Sequence, residues 1–596
     1  MAWYDEAVFY HIYPLGLAGA PKQNDYGEPV HRLNTLLPWV DHIKEIGGSA
    51  LYIGPLFESV GHGYETTDYK KLDSRLGTNE DLTAFVAYCH EQGIKVIFDG
   101  VFNHTGRDFF AFKDIQANRE NSHYKDWYCN VNFWGNNEYN DGFSYDNWGG
   151  YNLLVKLNQK NPAVVDYICD VIRFWVSEFD VDGIRLDAAD VLDFDFMKAL
   201  RRTANEVKPD FWLMGEVIHG DYSRWVNGET LHSVTNYTLH KALYSGHNDH
   251  NYFEIAHTVR RLQNMGTLKL YNFVDNHDVE RIYTKLTNKA HFAPVHVLLY
   301  TLPGVPSIYY GSEFGIDGRK EYGSDDSLRP ALNIEDYKDS VKTNPCTALI
   351  AALGKVRQAV PALSYGSYDE LMLTNRQFAY ARDLDGTRVI VSVNNDDAPA
   401  GMHLAAGNCT AYIGALSGEK VSVQDGHINI TQPANSGEIW VPEGTDLDVK
   451  PVKVVTKTDS EAKTNTEDKA ASETATDAKG NKEAEPKIES KGIVTATESA
   501  DAKKNTTDIE KNTTAANEVK DSAKDASAQA AADTPVDPET ITVDWSKSPE
   551  SMTVPELQAA ILAKLAGNGP VDAQMKKTVV DNIWHDSLVN WLKSFR

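Results

Sequence analysis

Apolar residues in the first 360 or so positions follow two alternating rhythms. Short runs that are apolar almost throughout recur along the chain: AVFYHIYP (7–14), SALYIGPLF (49–57), KVIFDGVFNH (95–104) and VDGIRLDA (181–188). FWLMGEVI (211–218), 233–239, KLYNFVDNH (269–277) and VPSIYYG (305–311) continue the series. A strand that is apolar at consecutive positions is buried on both faces, as in a parallel sheet covered by helices. Between these runs the apolar spacing changes to that of amphipathic helices. One helix is predicted over 79–92, with Thr78 as N-cap, Asp81 in the first turn and Gly93 after the end. Another is predicted over 162–179, with Pro162 at its first position and Val165, Ile168, Ile172, Trp175 and Phe179 along one face. Strand–helix units repeated eight times in sequence predict an α/β fold of the closed (β/α)8 barrel type. The rival is an open doubly wound sheet, but no Gly-rich phosphate loop follows the first strand.

The rhythm breaks between the third and fourth strands. Residues 105–160 are rich in Asn, Asp, Tyr, Trp and Gly, and read as a subdomain inserted in the catalytic barrel of 1–361 and leaning over its mouth. Residues 362–445 alternate in short segments such as RVIVSVNN and AYIGAL, which predicts a C-terminal β-sandwich. Residues 446–540 are mostly Ala, Lys, Glu, Thr, Asp and Ser, a composition expected of a disordered polar linker. Apolar residues return at helical spacing in 541–596, a small helical module expected to meet an unknown partner or polysaccharide.

Composition narrows the function. A net charge of −27 disfavours nucleic acid, whose affinity comes from cations meeting phosphates, and leaves a neutral substrate unopposed. Five scattered cysteines without a CxxC pair suggest neither a disulfide framework nor a zinc site, and Cys89 and Cys169 read as small buried hydrophobes. No signal peptide and no apolar run long enough for a membrane span is visible, so a cytoplasmic protein without membrane association is expected.

Chemistry is sought where barrel strands end, because polar groups there converge on one mouth. The third strand ends in Asp99, Asn103 and His104, and the fourth in Arg185 and Asp187. The fifth ends in Glu216, and the seventh in Asn276, His277 and Asp278. Taken singly, Asp99 reads equally well as a loop cap, His104 as a core histidine and Glu216 as a buried ion-pair member. Together they form an acidic cluster that burial would penalise unless paired or used. Arg185 and Asp187, two apart, face the same way, so Arg185 is expected to hold Asp187 ionised. Glu216, after an apolar run, is expected to have a raised pKa. One ionised and one protonated carboxyl is the pair that glycoside cleavage uses.

The segments that carry these residues resemble glycoside hydrolase family 13, the α-amylase family. DGVFNH (99–104), GIRLDAAD (183–190), GEV (215–217) and FVDNHD (273–278) resemble its signature regions. VKLN (155–158) resembles the extra motif of neopullulanase- and cyclomaltodextrinase-like members, and GYETTDY (63–69) and GVPSIYYGSEFG (304–315) match further family segments. The resemblance implies Asp187 as nucleophile, Glu216 as general acid/base and Asp278 as the group that grips two sugar hydroxyls. It also implies Asp99 and Arg185 in the site, His104 and His277 as hydroxyl partners, and Tyr64 stacked under the ring. Asp325 and Arg329 are spaced like the pair that holds the next sugar. Calcium-dependent members carry a His at the end of the second region. Val191 stands there, leaving Asn103 as the calcium-ligand candidate, so no cofactor or metal is expected. The barrel pattern begins almost at Met1, without the N-terminal β-domain through which cyclomaltodextrinases dimerise. The expected activity is retaining hydrolysis of mainly α-1,4 bonds in maltooligosaccharides or related α-glucans, which Ala188 after the nucleophile resembles. A transglycosylase or glucosyl isomerase would use the same site, and a catalytically silent binding or scaffold protein would use the fold alone.

Overall fold

The computed structural model describes residues 2–449 except 267, 322 and 323, together with 451–452, 543, 548, 552–566 and 592. Eight parallel strands carry the first unit: β1 (Phe9–Ile12), β2 (Ala50–Ile53), β3 (Lys95–Gly100), β4 (Gly183–Leu186), β5 (Trp212–Gly215), β6 (Ser233–Val234), β7 (Tyr271–Asn272) and β8 (Val305–Tyr309). They lie in the order β6-β5-β4-β3-β2-β1-β8-β7. A parallel bridge between Thr235 and Tyr271 joins β6 to β7 and closes the ring. All eight expected strands are present, each shorter than its apolar run.

Alternation within the strands divides the core in two. Phe9, Ala50, Tyr52, Ile97, Trp212, Met214, Tyr271 and Val305 fill the inside of the ring. Val8, Tyr10, Leu51, Ile53, Val96, Phe98, Ile184 and Leu213 face outward into the helix layer. Successive side chains on a strand point to opposite faces, which is why both layers are apolar and the runs look continuous. The helix Asn79–Glu91 starts at Thr78, whose N–H bonds Asp81 Oδ2 at 2.8 Å in a capping box, and Gly93 takes φ +80° just beyond the end. The helix Pro162–Phe179 is capped by Asn161 and buries Ile168, Ile172, Trp175 and Phe179. At the first turn Val164, not Val165, is the fully buried valine. Cys89 and Cys169 are buried, and all five cysteines are free thiols.

The insert after β3 is a small antiparallel sheet of His104–Thr105, Tyr151–Lys156 and Asn147–Trp148, with a helix at Phe110–Asn118. After the barrel, six antiparallel strands (Ser367–Leu373, Gln377–Leu384, Thr387–Asn394, Ser436–Pro442, Ala411–Gly414 and Lys420–Ser422) form one sheet. Ala400–Ala405 pairs with His427–Gln432 in a second sheet, and Met402, Leu404, Ile428 and Ile430 meet Ile390 and Trp440 of the first. Leu447, Val449 and Val452 pack on the main core, and Val452 N–H bonds Leu416 O at 2.8 Å. The chain therefore stays attached past the expected linker boundary at 446. The rest of the proposed linker and most of the C-terminal module lie outside the described residues. Within that module a helix runs from Val554 to Ala566, and Leu557, Ala560, Ile561 and Leu562 gather with Met552 and Leu592. No helix among the described residues is long and apolar enough to cross a membrane.

Candidate active site

Strand register brings the acidic residues together. Asp99 on β3 and Met214 on β5 are both opposite Arg185 on β4. Parallel bonding continues one step past the strands: Asp187 N–H bonds Gly100 O at 3.1 Å, and Glu216 N–H bonds Leu186 O at 2.9 Å. Asp187 and Glu216 thus leave neighbouring strands at the same level. After Asp187 the chain turns sharply, with Ala188 at φ +46° and ψ 42°. Such a conformation in a residue with a side chain costs about 1–2 kcal/mol, and such strain collects at functional sites. The turn aims Ala188 N–H at Glu216 Oε2, 3.1 Å away.

Arg185 is the centre of the cluster. Its Nη1 is 2.8 Å from Asp99 Oδ1 and 2.9 Å from Asp187 Oδ1, and its Nη2 is 2.8 Å from Glu216 Oε2. Asp99 Oδ2 also accepts bonds from Tyr52 OH at 2.8 Å and Tyr64 OH at 3.0 Å. Burial raises the pKa of both Asp187, well above its ordinary value, and Glu216, while Arg185 pulls each of them down. Arg185 contacts Asp187 as expected and favours its ionised form, and it acts on Glu216 in the same sense. One guanidinium is divided among three carboxylates, and both partners of the pair are lifted by desolvation.

The other side of the mouth comes from the residues after β7. Burial acts to raise the Asp278 carboxyl, but the Arg329 guanidinium beside it holds it below the ordinary range. Arg329 Nη2 lies 2.9 Å from Asp278 Oδ1 and 3.2 Å from Asp325 Oδ2, so Asp325 and Arg329 join the cluster through Asp278. His277 Nε2 is 3.1 Å from Asp278 Oδ2 and also meets Tyr64 OH. Because that hydroxyl donates to Asp99, it accepts from His277, which fixes the Nε2–H tautomer. Burial keeps His277 neutral, with a pKa lowered to about 3. Tyr64 is half-buried, its ring 8° from parallel to that of His277, with one edge tied to Asp99. Tyr64 is thus positioned by the acidic cluster.

His104 is brought to the site, with both ring nitrogens engaged by protein. Nε2 donates to Tyr64 O at 3.1 Å, and Nδ1 accepts from Asn103 Nδ2 at 3.2 Å. Burial lowers its pKa to about 3. Asn103 Oδ1 faces the Gln159 amide at 3.5 Å, and Val191, 38% exposed, offers no donor. No group of three His, Cys, Asp or Glu side chains suited to a metal occurs among the described residues. This donor set does not fit the calcium site implied by the resemblance.

Several site residues were not anticipated. Tyr52 projects inside the barrel two residues before Gly54, and its strand parity was a readable signal. Tyr237, whose OH is 3.4 Å from Glu216 Oε1 and accepts from Asn276 Nδ2 at 3.2 Å, follows a two-residue strand and has no local signal. Asp275, although inside the FVDNHD segment, turns away from the mouth: its Oδ2 accepts from Ile282 N–H and Ser312 Oγ.

Comparison with known proteins agrees with this geometry. Residues 31–355 match the family described as alpha-amylase, catalytic domain. A cyclomaltodextrinase from a Bacillus species is 31% identical over 422 residues, covering 67% of this chain and 74% of that protein. An intracellular maltogenic amylase from Bacillus subtilis is 29% identical, covering 66% and 69%. A solved cyclomaltodextrinase structure superposes with a TM-score of 0.66 at 27% identity, covering 74% of this chain and 78% of that one.

Proposed function

The chain belongs to the α-amylase family of glycoside hydrolases, and from that premise we propose that it hydrolyses mainly α-1,4-glucosidic bonds in maltooligosaccharides or related α-glucans with retention of configuration. The observation that carries the reading is one arginine, Arg185, bonding Asp99, Asp187 and Glu216 at the ends of three adjacent strands. Adjacent strands are about 4.7–4.9 Å apart, which suits the 5–5.5 Å carboxyl separation of retaining enzymes better than the wider gap of inverting ones.

In this reading Asp187 attacks the anomeric carbon while Glu216 gives its proton to the departing glycosidic oxygen. A glucosyl ester forms on Asp187. Glu216 then takes a proton from water, whose oxygen displaces Asp187 and restores the α-anomer. Asp278, kept anionic by Arg329, grips hydroxyls of the same sugar, and Tyr64 lies against its ring. Asp325 extends the polar contacts to the neighbouring sugar. Proton NMR of fresh hydrolysate from maltotriose is the test: the α-anomer appears first, and Asp187→Asn is inactive. A β-anomer appearing first refutes the role of Asp187. No metal takes part in this scheme, so activity persists in EDTA. Loss on chelation that calcium restores would overturn that part. Free thiols throughout, and likeness to a relative named intracellular, support a reducing cytoplasmic setting.

A further inference from the structure

Trp134 is 98% exposed, far beyond the next large apolar side chain, Tyr151 at 52%. Isolated exposed apolar residues are ordinary on protein surfaces, so exposure alone carries nothing. The scaffold beneath this one is different. Residues 133–143 form an excursion closed at its base by paired bonds between Asn132 and Ser144, at 2.8 and 2.9 Å. Arg107 holds Asp141 through two bonds of 2.7 and 2.8 Å and lies 3.8 Å over the Tyr139 ring. Arg119 bonds the carbonyls of Asp141 and Gly142, both at 3.0 Å. Asn137 bonds Asp141 Oδ2 and Phe143 O, Asn136 Oδ1 receives Gly142 N–H, and Asn132 Oδ1 receives Trp134 N–H at 3.0 Å. Two arginines and three asparagines thus fix the shape of a loop that carries a bare indole. Four of the nine large apolar side chains left exposed among the described residues, Phe110, Trp134, Tyr139 and Tyr151, belong to this insert.

We propose that the Trp134 excursion is a docking platform for the remote part of a long α-glucan chain, distinct from the catalytic cluster. The argument for a glucan is chemical. An indole face suits sugar C–H groups, and the exposed Asn140 amide beside it can donate to a sugar hydroxyl, while Asn136 and Asn137 are spent on holding the loop. Asp141 is neutralised by Arg107, which leaves Glu138 as the other acidic residue of the excursion. A polyanion is disfavoured by the chain's net charge of −27. The insert is also continuous with the catalytic cluster, since its sheet begins at His104, which pairs with Lys156. The inference rests on the α-glucan reading and deepens it: it sets a preference for polymer over short oligosaccharides.

The test uses full-length Asp187→Asn protein, which binds without turnover, run in native gels with and without soluble starch. Starch retards it, and adding Trp134→Ala weakens the retardation by about threefold to tenfold in apparent affinity. Trp134→Phe restores most of it, and unchanged melting temperatures exclude misfolding. Equal retardation with and without the indole overturns the platform and leaves the α-glucan reading intact. No retardation of either protein also overturns the platform, while maltotriose hydrolysis by the unmutated enzyme reports separately on the α-glucan reading. Loss of self-association in Trp134→Ala at unchanged starch retardation would assign the face to a second copy of the chain and refute the proposal.

Discussion

Arg185 sets one positive charge against three carboxylates, and its fork geometry is what permits this. A lysine would supply a point charge in one direction. Arg185→Lys is therefore expected to lower kcat by about 100-fold, the loss of one or two charge-assisted bonds. The pH profile gives a sharper check. Burial raises Asp187 and Glu216, and Arg185 opposes that rise in both. Removing the charge with Arg185→Gln lets both rise further, so the acid limb of kcat/KM moves to higher pH. An acid limb that stays in place would show that Arg185 does not act on the pair electrostatically. Much of this cluster was legible before the fold, because residues two apart on a strand share a face and strand ends share a mouth. The division of Arg185 among three partners was not, since two of those partners come from other strands. The engagement of His104 by Tyr64 and Asn103 was likewise invisible to local pattern.

At the level of elements, the strands were legible from continuous apolar runs, and the two helices from caps and spacing. Their ends were less so, because β6 and β7 are only two residues long and their runs continue as loops. Asp182, just before β4, shows how an element end is pinned by contacts far apart in sequence. Its carboxylate receives Val96 N–H at 3.0 Å, His90 Nε2 at 2.7 Å, and Lys95 and Lys208 Nζ each at 2.9 Å. Burial would raise its pKa, but these partners win and hold it well below the ordinary range. Breaking a buried pair by removing one charge costs about 3 kcal/mol, so Asp182→Asn should lower the denaturation midpoint clearly at neutral pH. A carboxyl depressed in the folded state stabilises above its unfolded pKa and loses that contribution as pH falls toward its folded value. The gap between the two proteins should therefore narrow below about pH 4. A gap constant from pH 7 to pH 3 would assign the effect to packing.

For the whole molecule, the attachment of Leu447, Val449 and Val452 to the main core makes a prediction about length. A chain ending at residue 452 is expected to hydrolyse maltotriose as the full chain does. One ending at 446 should melt a few degrees lower, since it loses three half-buried apolar side chains. Equal melting of the two would show that this segment adds nothing. Composition set this region apart from the folded part, but not the residue at which packing ends, because a few apolar side chains leave little trace in a composition average. The barrel itself is fastened at a joint. Thr235 and Tyr271 make the bridge, Asn236 N–H reaches Tyr271 O at 2.9 Å, and the Asn236 and Asn272 side chains clasp at 2.8 Å. Arg185 and its carboxylates belong to staves on one side of this joint, and Asp278 with Arg329 belongs to the other. A hoop that slackens there widens the gap between the bond-breaking half and the sugar-gripping half while leaving each half intact. The circumference of the cup is then a tolerance built into the fold, and deuterium uptake at the Asn236 amide, faster than at the amides of β3 to β5, would measure how freely it gives.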